Sequence, residues 1–204
     1  MGTLMARTRI VGYVVSTVLI GAVVTGSGYA VSIETVLVSN PGNLNDASDG
    51  DRISEGVQHF GAVAYEYRIG KYEVSNSQYV ELLNAKDPTG ANTLALYSDL
   101  MSTHSIGGII FNERGNIGSK YEVKPGRGNN PVVFVNWVDA IRFANWLHNG
   151  QGNGDTDNGA YTIVGGGGLP TNPDNIPRNA NATWFLPSSP LKFSPSRLPY
   201  VHGI

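Results

Sequence analysis

The chain has no cysteine among its 204 residues. That excludes disulfides, thiolate metal sites, iron–sulfur clusters and a cysteine nucleophile. Charge is sparse as well: Asp, Glu, Lys and Arg make up 15% of the chain, against roughly 25% in ordinary soluble domains. With 14 basic and 16 acidic residues the net charge is −2 and no basic cluster stands out, which argues against a nucleic-acid partner. The four histidines, His59, His104, His148 and His202, share no short spacing, so there is no zinc motif. No G-x-S-x-G or P-loop occurs, and the glycines at 165–168 lack both G-x-G-x-x-G spacing and a following helix pattern. What remains is 41% hydrophobic, enough for a packed core. The length suits one domain, or two cramped ones.

The amino-terminal segment stands apart. Arg7 and Arg9 are the only charges before Glu34, residues 10–24 (IVGYVVSTVLIGAVV) carry none, and residues 25–30 (TGSGYA) are mostly small. A basic start, a short apolar run and a small-residue exit describe a secretory signal peptide, here over residues 1–30 with cleavage after Ala30. The competing reading is an uncleaved membrane anchor, since the uncharged stretch reaches residue 33. Cleavage would remove two Arg and no acid, leaving 12 basic and 16 acidic residues, a net −4. The expected location is secreted, periplasmic or at the cell surface, with membrane contact only through an uncleaved signal.

Beyond it the chain reads as α+β. Strands are expected at 31–38, at 62–69 as a half-buried strand with Val63, Tyr65, Tyr67 and Ile69 on one face, at 106–111, as a buried run at 131–135 (PVVFV), and briefly at 160–164 and 183–186. Ser75 and Gln78 have capping-box spacing ahead of a helix that Asp87 and Pro88 stop. A further turn or two is expected over 93–101, and residues 115–128 read as loop. Asn136 caps a second helix, with Trp137, Ala140, Ile141, Ala144 and Leu147 facing the core and Arg142 and Asn145 facing outward. Asn149 and Gly150 end it, and His148 is expected as a cation near its carboxyl-terminal dipole. Residues 189–204, with three prolines, read as an extended tail. So much irregular chain needs side-chain partners for its backbone; the 19 asparagines can supply them.

Candidate chemistry is thin. Asp155, Asp157 and Asn158 alternate oxygens beside Gly159 and are the candidate calcium ligands. The spacing fails as an EF-hand, and a solvated turn is the competing reading. Residues 181–183 (NAT) fit a glycosylation acceptor. Trp137, Trp146 and Trp184 are assigned to the core rather than to a sugar-stacking platform, with Trp146 nearest to a surface role.

Three ordered segments carry a resemblance. Residues 67–85 (YRIGKYEVSNSQYVELLNA), 130–147 (NPVVFVNWVDAIRFANWL) and 184–188 (WFLPS) resemble hallmarks of the formylglycine-generating enzyme, or sulfatase-modifying factor, family. Residues 38–42 and 159–162 resemble its exported bacterial branch, and the likeness spans about 33–188. It implies a C-type-lectin-like α+β fold with little regular structure, here incomplete at the carboxyl end, with residues 31–188 as the amino-terminal part of the domain. Active relatives oxidise a sulfatase cysteine or serine to formylglycine with oxygen, using copper held by two cysteines and calcium as a structural ion. No cysteine is present to receive those roles, so no catalytic or cofactor-binding residue is assigned. After residue 188 the expected acidic continuation is replaced by Pro/Ser-rich sequence, which implies a truncated product. The resulting expectation is a non-catalytic exported module with a protein or glycan ligand. The alternatives are a formylglycine-forming oxidase whose activity resides in a longer form, and a lectin-like glycan- or calcium-binding surface module. A lone fragment is also expected to expose the apolar face of 132–147 and to be marginally stable.

Overall fold

The computed structural model describes residues 30–42, 64–172 and 176–187. Of the expected signal peptide at 1–30, residues 1–29 lie outside the described residues, as does the expected tail at 189–204. Strand β1 (Thr35–Val38) pairs antiparallel with β2 (Tyr67–Gly70), Thr35 opposite Gly70 and Val38 opposite Tyr67. Helix α1 (Asn76–Lys86) follows, then the short helix α2 (Leu100–Thr103). Strands β3 (Ile109–Phe111) and β4 (Tyr121–Val123) form a second antiparallel pair, and helix α3 (Trp137–His148) comes next. From residue 149 the described chain is irregular, with one isolated bridge between Tyr161 and Arg178. Among the described residues no helix is long and apolar enough to cross a membrane.

Both long helices start where their local chemistry demands. The Ser75 hydroxyl accepts from the Gln78 amide while Gln78 Oε1 accepts from Ser75 N at 2.8 Å. Asn136 Oδ1 accepts from the amides of Val138 and Asp139, and Asp139 Oδ2 accepts from Asn136 N at 3.0 Å. Each capping box satisfies amides that a bare helix start leaves open.

The core has two parts, and α3 lies between them. The larger cluster gathers Tyr79, Leu82 and Leu83 of α1, Met101, Ile109, Tyr121, Val132 and Val135 against Ala140, Phe143, Trp146 and Leu147 of α3. The smaller joins Ile141 and Ala144 of α3 to Ala160, Tyr161, Ile163 and Ile176. Every residue from Asp139 to Leu147 is therefore buried. This corrects the outward placement of Arg142 and Asn145, both 0% exposed. Along 132–147, where an open apolar face is expected, Val132, Val135 and residues 139–147 are buried while Val133, Phe134, Trp137 and Val138 are half-buried.

Other expectations also shift. Residues 131–135 form no strand beyond an isolated bridge between Pro131 and Ser75, because Val132 and Val135 are both buried while Phe134 takes φ +63°. A flat strand would send two residues three apart to opposite faces. Of the strand expected at 62–69, residues 62 and 63 lie outside the described residues and the described part is a strand only from Tyr67, running to Gly70; on its supposed buried face Tyr65 is 47% and Ile69 39% exposed. Inside the supposed loop 115–128 lies β4. The first strand begins at 35 rather than 31, and α2 starts only at Leu100. Residues 160–164 form only the Tyr161 bridge, and 183–186 form no strand. The glycine pair before β3 is a close approach: a Cβ on Gly108 would fall 2.2 Å from Asn76 Nδ2, and one on Gly107 2.3 Å from the Met101 carbonyl.

Candidate functional site

The densest polar chemistry hangs on α3. The buried Arg142 guanidinium donates from Nε to Asp157 Oδ1 at 2.9 Å, from Nη1 to the Leu94 carbonyl at 2.8 Å, and from Nη2 to the Gly167 carbonyl. A buried cation is costly unless paired and fully hydrogen-bonded; these contacts meet that condition and tie three separate loops to one helix. One turn on, Asn145 Nδ2 donates to the carbonyls of Thr156 and Tyr161, and its Oδ1 accepts from Tyr161 N at 2.7 Å. Asn149 Nδ2 donates to the carbonyls of Asp155 and Asn158.

The Asn145–Tyr161 arrangement recurs. In each case a side-chain amide gives and receives with one residue's backbone, as a neighbouring strand would. Asn84 does this with Tyr121, both bonds 2.9 Å, and Asn92 with Tyr97 at 2.8 and 3.1 Å. Gln151 does it with Val31 at 2.5 and 2.8 Å. The expectation that asparagine would serve the irregular backbone is thus met residue by residue.

The titratable groups near this hub are committed inside the protein. Burial pushes Asp139 up to about 7, against the lowering pull of the Asn136 amide and Arg142. Burial raises Tyr79 well above the usual phenol range and raises Tyr161. Tyr121 is raised by burial and by Asp87, whose carboxylate accepts its hydroxyl hydrogen bond and also the Asn92 amide. Asp155 is pushed up by burial, but the amides of Asp157 and Asn158 outweigh this and hold it below the usual carboxylate range.

The candidate metal residues Asp155, Asp157 and Asn158 share one loop, and their oxygens have partners within the protein. Asp155 Oδ1 accepts from Asp157 N and Asn158 N, and Asp157 Oδ1 faces Arg142. Among the described residues no group of three or more His, Cys, Asp and Glu could hold a metal ion. The donor set does not fit the copper of the resembled enzymes either: no cysteine exists, and the one described sulfur, the Met101 thioether, is 1% exposed. At the end of α3, His148 Nδ1 accepts from Thr183 N at 3.2 Å and bonds Thr183 Oγ1 at 2.8 Å. Trp146 is buried, its Nε1 donating to the Gly152 carbonyl, while Trp137 and Trp184 pack on different clusters, so the three make no platform.

What the hub leaves outside is loop surface. Beyond Arg142's anchor at Gly167, Val164 is 51% and Leu169 88% exposed, and Gly165, Gly166 and Gly167 all take positive φ. Sequence reasoning missed Arg142 and Asn145, since helical spacing alone put them on the outer face.

No curated protein and no solved structure matches the chain. The family profile described as Sulfatase-modifying factor enzyme 1-like domain matches residues 26–193. A match over most of the length, on a mixed α and β chain whose two capped helices fall in the expected hallmarks, identifies this chain as a member of the sulfatase-modifying factor family.

Proposed function

We propose that this chain is an exported, non-catalytic member of its family that acts as a binding or structural module on a C-type-lectin-like scaffold. Export rests on the amino-terminal pattern, with a signal over 1–30. The non-catalytic reading rests on sulfur: soft thiolates select Cu(I), and the sequence has none to offer. The observation that carries a binding role is the Arg142 hub, which holds the 92–97, 155–161 and 165–168 loops while leaving Leu169 and Val164 in solvent. Rigidly held irregular loops are where folds commonly carry recognition. The ligand is a protein or glycan outside the cytoplasm.

The test has three arms. Incubated in air with copper and a cysteine-containing sulfatase peptide, the purified chain should leave the cysteine unchanged by mass spectrometry. Conversion to formylglycine would overturn the non-catalytic reading and favour the oxidase. On a glycan array, binding that Leu169→Asp abolishes would fix the loops as the recognition face. Binding unchanged by that substitution would move the face elsewhere. Calcium titration by calorimetry, with Asp155→Ala as control, tests the loop 155–158 for the family's structural ion.

A further inference from the structure

Residues 150–152 all take left-handed backbone, with φ of +79°, +67° and +52°. Two are glycine, but the middle one is Gln151, where a side chain is strained and glycine would be at ease. Its neighbours pin it: Gln151 N donates to the Trp146 carbonyl at 2.8 Å, and Trp146 Nε1 to the Gly152 carbonyl at 3.0 Å. The strain aims the amide at one place. Gln151 Oε1 accepts from Val31 N at 2.5 Å and its Nε2 donates to the Val31 carbonyl at 2.8 Å. The next carbonyl, that of Ser32, is held by Gln78 Nε2 at 2.9 Å. The side chains of Val31 and Ile33 pack on the main core cluster. Segment 31–33 is thus seated like a strand, by two glutamines in place of a neighbouring backbone.

Immediately before it, Ala30 lines an open depression of about 210 Å³, together with Glu81 and Ala85 of α1, Trp146 of α3 and the 150–152 turn. Glu81 is the titratable side chain lining that space. Lys86, a turn further along α1, is directed at the carbonyls of Asn153 and Gly154 at 3.4 and 2.9 Å.

We propose that this depression is the receptor for the chain's own mature amino terminus, created by cleavage between Ala30 and Val31. The proposal rests on the export reading above. Hydrolysis by a signal-peptidase-class protease places the water oxygen on the Ala30 carbonyl carbon and leaves the Val31 nitrogen as an amine, protonated at neutral pH. Ala30 then vacates the depression. The Val31 ammonium keeps the Gln151 Oε1 acceptor, turns its further N–H donors toward the space lined by Glu81, and holds the 31–33 segment on the core.

The experiment exports the full chain from a bacterial host and takes the intact mass. The expected start is Val31; a different terminus overturns the cleavage itself, before any further measurement. The α-amine is then labelled with an acylating reagent at pH 8, near the usual α-amino range. In the folded protein labelling should be at least about fivefold slower than in denaturant, the drop in free-amine fraction at this pH for one unit of upward shift. Gln151→Gly, which puts glycine at a φ it prefers, and Glu81→Gln should each restore most of the rate. Gln151→Glu, which keeps the acceptor, should preserve protection. A folded Val31 amine that labels as fast as the denatured one, or protection untouched by Gln151→Gly, overturns the docking while leaving the cleavage in place.

Discussion

The β1–β2 ribbon and the layer around α3 are built by opposite means. The ribbon is a backbone ladder in register from Thr35–Gly70 to Val38–Tyr67, with Leu37 55% and Val36 42% exposed and an ion pair, Lys71–Glu34, on the surface. Around α3 there is almost no ladder. Asn145 and Arg142 supply in the dry interior the hydrogen bonds that strands would otherwise make, and Asn149 does the same at the exposed end of the helix. A ladder satisfies its own backbone wherever it lies, so it tolerates exposure. An irregular loop in the interior has no such partner, and each orphaned group there costs about 1–3 kcal/mol. Stability should therefore be concentrated where regular structure is least.

The sharpest way to break that contrast is Arg142→Met, which keeps the volume but strands Asp157 and the Leu94 and Gly167 carbonyls. Removing one partner of a buried pair should cost about 3–5 kcal/mol in denaturant unfolding, whereas Lys71→Ala in the ribbon should leave the curve where it was. Equal effects of the two would end the comparison.

The next test uses pH. Asp139 has its folded-state pKa pushed up to about 7 from an ordinary 3.8. Between those values the folded state holds a proton that the unfolded chain has released. Stability is then greatest at the acidic end and falls as pH rises toward 7, by no more than about 4 kcal/mol from this group. Asp139→Asn, which retains an acceptor for the Asn136 amide, should flatten that slope; a slope unchanged in the variant would assign it to another group.

Asn145→Ala removes two donors and one acceptor from the Thr156 and Tyr161 backbone. The loss should be about 2–3 kcal/mol, with amide exchange at Tyr161 accelerated. At the small end, Val36→Thr in the ribbon should stay within about 0.5 kcal/mol, as surface changes usually do. A larger loss would mean that the ribbon leans on something its exposed face does not show.

Some of this was readable from local chemistry. Ser75 with Gln78, and Asn136 with Asp139, need only three residues' separation to close their boxes, so both helix starts were legible. The asparagine inventory signalled side-chain support for loops, and the family hallmarks placed the capped helices correctly. Strand β4 was missed because three residues carry too little alternation and because Tyr121 takes its backbone partner from Asn84, 37 residues away. The Asp155–Asn158 oxygens were visible as acceptors, but not that Asp157 would answer Arg142 from the helix before it.

The outer face of α3 marks the boundary between the two kinds of information. Spacing and capping, both local, were enough to say that residues 137–148 form a helix and that no cysteine chemistry can occur on it. Whether Arg142 and Asn145 met water or protein depended on a second hydrophobic cluster, around Ala160, Tyr161, Ile163 and Ile176, folding back over that face. Burial is a property of what arrives from elsewhere in the chain, and helical periodicity reports only that two faces differ, not that both will be covered.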